Sequence, residues 1–359
     1  DTRGTRCLAR QYPSFVPGWT NSDKFDTSSG RIDRMNTLEE INSLEEQIQQ
    51  LITRKNELID RACVEGRDIA LAHISSDVVS GFVPVDHLKV DKDTVVVYQG
   101  VPGAYSHQAM HDYFGKDIKN VNVAKFEDVI ETVKSGKADY GVLPIENSSA
   151  GFVSGIYDMV GSSGLTIVGG DEVKVAHMLM GVPGSKLSDI QTVYSHPQGL
   201  LQCSEFLNRA GYAQCPVANT AVGAVKVRDE GDITQAAIAS ALAADIYGLE
   251  ILKDDIVNNE NNTTRFIILS KKKEYVKSAG NISVCFALPH ESGTLYSILG
   301  HIKHNGLNMT SIESRPLRGR KWEYSFFITL EGSLMDPATI DALDHINKDS
   351  MDFKIIGTY

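Results

Sequence analysis

From Thr94 onward the chain alternates short apolar runs with helical patterns, and that alternation constrains the fold more than any other feature. Thr94–Gln99 (TVVVYQ), Tyr140–Leu143, Leu165–Gly169, Thr192–Ser195, Ala236–Ala239 and Phe266–Ser270 read as strands. Helical patterns lie near 105–115, 125–135, 198–210, 219–230 and 239–247. Strands separated by helices need crossover connections, so the expectation is an α/β fold with mainly parallel sheets.

The last segment has a different order. Strand Asn281–Leu288, helix 291–305, strands 307–317 and 321–332, helix 335–348 and strand 351–358 make the βαββαβ order of a ferredoxin-like unit. Lys271–Lys277 reads as a charged hinge between the two parts. At the other end, residues 1–35 lack any period and read as a disordered tail, with Met35 a candidate start that a mass measurement on the native protein would test. Residues 36–65 read as one helix, because Ile41, Leu44, Ile48, Leu51, Leu58 and Ala62 step alternately by three and four. Lys55 falls on that seam, where snorkelling is its simplest role. Residues 66–93 read as a linker with a short element at 68–79.

Acidic residues outnumber basic ones by 46 to 35, for a formal net charge of −11. That balance argues against a nucleic-acid partner, and any anionic substrate must be held by local donors. No apolar run approaches the ~20 residues of a membrane span. Five scattered cysteines without a Cys-x-x-Cys pair fit reduced thiols and a cytoplasmic location. His107 and His111 share a helical face and read as solvated, since no carboxylate motif accompanies them.

Three stretches carry chemistry. GVLPIENSSAG (141–151) and YSHPQGLLQC (194–203) each run from a strand into a polar turn, and NNENNTTRFII (258–268) runs from a polar loop into a strand. Asn and Ser favour turns and helix caps, Pro197 suits a first helical position, and capped strand–helix turns alone would explain the first two. Against that plain reading, the C-terminal edges of strands are where α/β folds bind ligands. Thr264 offers a hydroxyl and Arg265 a two-pronged carboxylate partner, and the expectation places both at one crevice with residues 146–147 and 195–202. QGVPGAYS (99–106) adds a glycine-rich turn whose amides suit an anion.

In this order, PIENS, SHPQ…QC and TTRF resemble prephenate dehydratase, and GTLYSIL (293–299) with GLNMTSIESRP (306–316) resembles the phenylalanine-binding ACT domain that follows it. The likeness runs from about Thr94 to Tyr359. It implies a two-lobed region like the periplasmic binding proteins at 94–271 and a regulatory ACT domain at 280–359. The implied reaction converts prephenate to phenylpyruvate, carbon dioxide and water, without metal or organic cofactor. The implied catalytic residues are Thr264, Glu146, Asn147, Ser195 and Gln202, with Arg265, Ser148, His196, Ser106 and Phe266 around the substrate. Arg265 or nearby amides would hold the pyruvyl carboxylate, and Glu146 or His196 would relay a proton to the departing hydroxyl through Thr264. Phenylalanine would bind at Gly293, Thr294, Leu295, Leu307, Asn308, Met309, Glu313 and Ser314 between paired ACT domains, in a homodimer or homotetramer. Removal of 280–359 would then spare activity and abolish inhibition. Arogenate dehydratase and a non-catalytic two-lobed amino-acid sensor are the alternatives. The 36–65 helix resembles the first helix of chorismate mutase, but Leu38 stands where that family has an arginine and Lys55 replaces another, so mutase activity is not expected.

Overall fold

A computed structural model describes residues 39–48, 50, 51, 53, 54, 58, 77–317 and 323–359. The expectations for the 1–35 tail, Leu38, Lys55, Cys7, Cys63 and all of 59–76 lie outside these residues. The described residues between 39 and 58 are helical, and Ile41, Leu44, Ile48, Leu51 and Leu58 on its seam are exposed.

The strands in chain order are β1 (Val83–Val85), β2 (Val95–Gln99), β3 (Lys119–Val123), β4 (Tyr140–Asn147), β5 (Gly151–Phe152), β6 (Thr166–Lys174), β7 (Met178–Gly181), β8 (Thr192–Ser195), β9 (Ala213–Pro216), β10 (Gln235–Ala239), β11 (Glu250–Lys253), β12 (Thr263–Ser270), β13 (Glu274–Val276), β14 (Asn281–Leu288), β15 (Asn308–Pro316), β16 (Tyr324–Glu331) and β17 (Met351–Thr358). The helices are α1 (Tyr105–Phe114), α2 (Phe126–Lys134), α3 (Ile156–Ser163), α4 (Pro197–Gln202), α5 (Ser204–Ala210), α6 (Thr220–Glu230), α7 (Ala241–Tyr247), α8 (Thr294–His304) and α9 (Pro337–Lys348).

Two main sheets result. The larger runs β15-β16-β14-β17-β6-β12-β4-β2-β3, with β5 on β4; the smaller runs β11-β7-β10-β8-β9. The chain leaves the large sheet after β6, builds the small one and returns as β12. Because β12 re-enters from the opposite end, it pairs antiparallel with both β4 and β6. β7 likewise opposes β10 and β11. The sheets are therefore mixed, not mainly parallel as the alternation suggested. The expected 198–210 helix is split into α4 and α5 around Cys203, and α3 was not foreseen. The supposed hinge contains β13, which pairs in parallel with β1.

Period-two burial gives β12 two faces. Ile267 and Leu269 join Leu143 and Ile145 in one core, whereas Phe266 and Ile268 join Val142, Tyr140 and Tyr98 in the other. His107 belongs on the second side. It is buried, stacks on Tyr98 at 4.8 Å and accepts the Gly103 N–H at Nδ1, so it is not solvated. Burial and the neighbouring His111 push its pKa down to about 4.

The C-terminal segment has the expected ferredoxin-like order, β17-β14-β16-β15, with α8 and α9 packed over its own core. Its opposite face is not free. Cys285, Phe327 and Ile356 join the first core beside Ile156, Tyr157 and Val160 of α3, and the Tyr157 and Phe327 rings lie 5.1 Å apart. β17 meets β6 at Gly357, where any side chain would collide with the Ile167 backbone. One continuous sheet thus joins the two parts, so removing 280–359 would uncover apolar surface of the first core.

Candidate active site

A hollow of about 470 Å³ lies between the two sheets. Gln99, Pro144, Asn147, Phe152, Thr264 and Phe266 come from the large-sheet side, and His196, Gln198, Gln202, Asn219 and Thr220 from the small-sheet side. Val175 and His177 come from the strand-to-strand crossing after β6. Another hollow of about 480 Å³, where Asp77, Phe82 and Lys273 meet Phe353, contains none of the motif residues.

The strand register brings two of the motifs together. Thr264 lies opposite Asn147 and Arg265 opposite Glu146, but Phe266 lies opposite Pro144. Ile145 is therefore an extra residue in β4, a β-bulge that turns both Pro144 and Asn147 toward the hollow. The Asn147 amide nitrogen donates to Thr264 Oγ1 at 2.9 Å, to Asn262 Oδ1 at 2.8 Å and to the Thr263 carbonyl at 3.2 Å. Its amide oxygen accepts the Ser149 and Ala150 N–H groups at 3.0 and 2.9 Å. Asn147 is thus clamped at both ends. Thr264 Oγ1, accepting from Asn147, keeps its own hydrogen to donate into the hollow.

Arg265 and Glu146 point the other way. Arg265 Nη1 reaches Glu146 at 3.1 Å, Nη2 reaches Glu172 at 2.7 Å, and the guanidinium lies over the Tyr359 ring. Neither residue lines the hollow. The expectation that Thr264 and Arg265 share a crevice is corrected: neighbours on a strand face opposite sides. Arg265 is spent on two carboxylates, and a proton relay through Glu146 loses its geometry with it.

Ser195 is also displaced from its expected role. It is fully buried, and its Oγ donates to the Ile238 carbonyl at 2.7 Å. Gly199 permits this, since a methyl there would sit 2.8 Å from Ser195 Oγ. Ser148 is a backbone clamp rather than a lining residue, donating to the Asn261 carbonyl and accepting the Thr263 N–H. Ser106, His196, Gln202 and Phe266 do line the hollow. His196 caps α4 by accepting the Gln198 N–H at Nδ1, so its single neutral-state hydrogen is on Nε2. Partial burial lowers the pKa of this imidazole.

His177 and Tyr105 are among the lining residues that the sequence reading did not single out. His177 touches Gln202 and Tyr105, and Tyr105 stands at the start of α1. In the sequence VAHML the histidine is isolated in an apolar run, and no spacing distinguishes it from a core residue. The starts of three helices also converge here: Tyr105 and Ser106 of α1, Gln198 and Gly199 of α4, and Thr220 of α6. Ala104, at the N-cap of α1, has no side chain able to cap it, which leaves first-turn amides for an anion. No lysine or arginine is among the described lining residues.

The residues expected to bind an effector lie toward two ends of the C-terminal sheet. Leu288 and Pro316 both register with Tyr324, while Asn281 and Asn308 both register with Glu331. Gly293, Thr294 and Leu295, which follow β14, therefore lie at the end opposite Leu307, Asn308 and Met309. Glu313 and Ser314 sit along β15, with Glu313 3.6 Å from Arg315. Arg315 in turn reaches Asp158 of α3 at 3.2 Å through both Nε and Nη2.

The fold and the hollow define a two-lobed α/β enzyme whose ligand site is built from hydroxyls, amides and helix starts. Comparison with known proteins gives the family. The prephenate dehydratase model matches residues 96–274. Arogenate dehydratase/prephenate dehydratase 1, chloroplastic, of Arabidopsis thaliana is 35% identical over 285 residues, covering 75% of this chain and 72% of that protein. The bifunctional chorismate mutase/prephenate dehydratase of Enterobacter agglomerans is 32% identical over 270 residues, covering 74% and 70%. Among solved structures, prephenate dehydratase from Arthrobacter aurescens in complex with L-Phe matches with a TM-score of 0.69 at 28% identity, over 74% of this chain and 90% of that one. GqqA, described as a novel type of quorum quenching acylase, matches with the same TM-score at 34% identity, over 74% and 97%. The chain belongs to the prephenate dehydratase family.

Proposed function

We propose that the hollow takes prephenate, and that the chain converts it to phenylpyruvate, carbon dioxide and water with uptake of one proton. The observation that carries this reading is the Asn147–Thr264 pair, which leaves a hydroxyl hydrogen aimed at a largely apolar hollow. Loss of the ring carboxyl as carbon dioxide pushes an electron pair into the ring, and the ring expels hydroxide as it becomes aromatic. Thr264 donates to that departing oxygen, stabilising charge as it develops. Threonine is a poor acid, so the proton itself enters from solvent at the rim, where the exposed His196 offers its Nε2–H to orient it.

The pyruvyl carboxylate is received by the α1 and α6 helix starts with Ser106 and Thr220, rather than by Arg265. Phe126, Phe152, Val153 and Phe266 form the apolar walls. A carboxylate against such walls, without a paired cation, is favoured to leave as neutral gas. Residues 94–271 serve as the catalytic region and 280–359 as an ACT domain. Because the effector segments lie at opposite ends of one sheet, a phenylalanine site built from all of them requires a second chain, and a homodimer or larger homo-oligomer follows. Mutase activity is not part of this reading, and the cytoplasm is the proposed location.

The test is a spectrophotometric assay of phenylpyruvate from prephenate, with arogenate compared and phenylalanine titrated. Thr264→Ser keeps the hydroxyl and is expected to retain much of the activity, whereas Thr264→Val should lose most of it. Equal rates for the two variants would remove Thr264 from the chemistry. Turnover of arogenate alone would replace the substrate. Light scattering that gave a monomer in the presence of phenylalanine would remove the shared effector site.

A further inference from the structure

Behind Gln202 stands a short chain of polar groups that the reaction scheme leaves unused. His177 is 2% exposed. Its Nε2 lies 3.0 Å from Gln202 Oε1 and its Nδ1 lies 3.1 Å from Tyr105 Oη. Tyr105 Oη is also 3.0 Å from the Ala176 carbonyl oxygen. Burial lowers the imidazole pKa and raises that of the phenol, so the ring is neutral and the hydroxyl keeps its hydrogen.

A neutral imidazole carries one hydrogen, and a tyrosine hydroxyl carries one. Only two arrangements satisfy the chain. In the first, Tyr105 shares its one hydrogen between His177 Nδ1 and the Ala176 carbonyl, and His177 Nε2–H donates to Gln202 Oε1, as the observed oxygen position requires. The NH2 end of Gln202 is then the end available to a ligand. In the second, Tyr105 donates to Ala176, Nδ1–H donates to Tyr105, and a bare Nε2 must face a Gln202 amide turned over. That arrangement would offer the ligand a carbonyl oxygen. The proposed substrate presents carboxylates, which only accept, and a hydroxyl that needs a donor as it departs, to a hollow without a cation among its described lining residues. Only the first arrangement meets it with a donor.

We propose that His177, held in its Nε2–H form by Tyr105, is a positioning residue that locks Gln202 with its amide N–H groups toward the substrate. This rests on the dehydratase reading. It assigns the tyrosine at the start of α1 and the histidine of the crossing segment to one device spanning both lobes.

The test is steady-state turnover of prephenate by the full chain and its variants, with melting temperatures recorded alongside. His177→Gln keeps an N–H near the Nε2 position and should stay within about threefold of the parent kcat. His177→Leu removes it and, by freeing a substrate-positioning amide, should lower kcat on the order of 10²-fold. Tyr105→Phe leaves the ring without its hydrogen donor and should cost roughly tenfold in kcat. In the Gln202→Ala background, His177→Leu should cost less than about threefold more, since coupled residues are non-additive. Folded His177→Leu with parental kcat overturns the inference. So does additivity with Gln202→Ala, or a His177→Gln protein as inactive as His177→Leu. If His177→Leu fails to fold, Tyr105→Phe decides, and parental kcat there overturns it. Absence of turnover by the parent chain would remove the dehydratase reading and this inference with it, a result distinct from an active parent with indifferent variants.

Discussion

Asn147→Asp removes the hydrogens that Asn147 gives to Thr264 and its neighbours while keeping the oxygen that clamps its own turn. The substitution is isosteric, and the retained oxygen still accepts the Ser149 and Ala150 N–H groups at 3.0 and 2.9 Å, so the turn survives. The other end changes from two hydrogens to none. It then faces Thr264 Oγ1, Asn262 Oδ1 and the Thr263 carbonyl, at 2.9, 2.8 and 3.2 Å in the parent. Thr264 would satisfy the new carboxylate with its own hydrogen and cease to offer it to the substrate. Loss of one donor to a developing oxyanion typically costs 10²–10³-fold in kcat, about 2.7–4 kcal/mol. KM should change little, because the missing bond strengthens only in the transition state. Two further acceptors lose their donor, at about 1–3 kcal/mol of stability. That lowers the melting temperature by on the order of 5 °C, leaving the protein folded for assay. Crowding by three oxygens raises the new carboxyl's pKa, and its neutral form regains a hydrogen for Thr264 Oγ1. The variant-to-parent kcat ratio in the phenylpyruvate assay should therefore rise as pH falls. A kcat within threefold of the parent, a loss confined to KM, or a ratio that falls with acid would refute the role given to Asn147.

Two other perturbations test the fold's connections. Arg315→Ala removes both hydrogen bonds to Asp158, next to the loop whose Phe152 and Val153 line the hollow. This partly exposed pair is worth less than ~1 kcal/mol of stability, so kcat without effector should stay within about twofold. Phenylalanine inhibition should weaken severalfold, and unchanged inhibition would show that the signal takes another route. His107 has a depressed folded pKa of about 4 against an ordinary value of 6.5. The unfolded chain takes up the proton first, so stability is full above about 6.5 and falls as pH drops toward 4, by at most roughly 3 kcal/mol. His107→Phe keeps a ring against Tyr98 and should flatten the pH dependence of the urea midpoint between pH 6.5 and 5; parallel curves would assign the acid sensitivity elsewhere.

The fold was legible where local pattern and tertiary partner agree. β14 and β17 match their expected bounds and α8, β15 and α9 fell within three residues of theirs, because the ferredoxin-like unit is built from long amphipathic elements with turn residues between them. β3, β9 and β11 were missed for the opposite reason. Their residues are mostly exposed, as in KNVNV at 119–123, and nothing in composition marks them before a neighbouring strand takes up their backbone groups. The reversed direction of β12 was equally hidden. Antiparallel entry depends on where the chain returns after some ninety residues spent in the other lobe, and strand direction leaves no mark on an apolar run.

The site divides along a different line. Thr264, Asn147 and Gln202 were identifiable from motif order, and all three reach the hollow. Arg265 and Glu146 were assigned to the same crevice because they adjoin those residues in sequence, yet adjacency within a strand is the strongest available argument against it. Once TTRFII is granted to be a strand, Thr264 and Phe266 must face one side and Arg265 the other. The same rule sends Glu146 away from Asn147, and the two rejected residues then meet as a cross-strand pair. The signal was therefore present in the sequence, in its period rather than its chemistry. For β4 alone the rule fails: Pro144 and Asn147 share the hollow only because the bulge at Ile145 shifts the phase by one residue. A charged pair on the far face still bears on the shape of the hollow. By bracing β12 against β4 and β6 behind Thr264, Arg265 holds the strand that presents the Thr264 hydroxyl, and a motif that pairs a hydroxyl with a cation builds that wall from both faces of one strand.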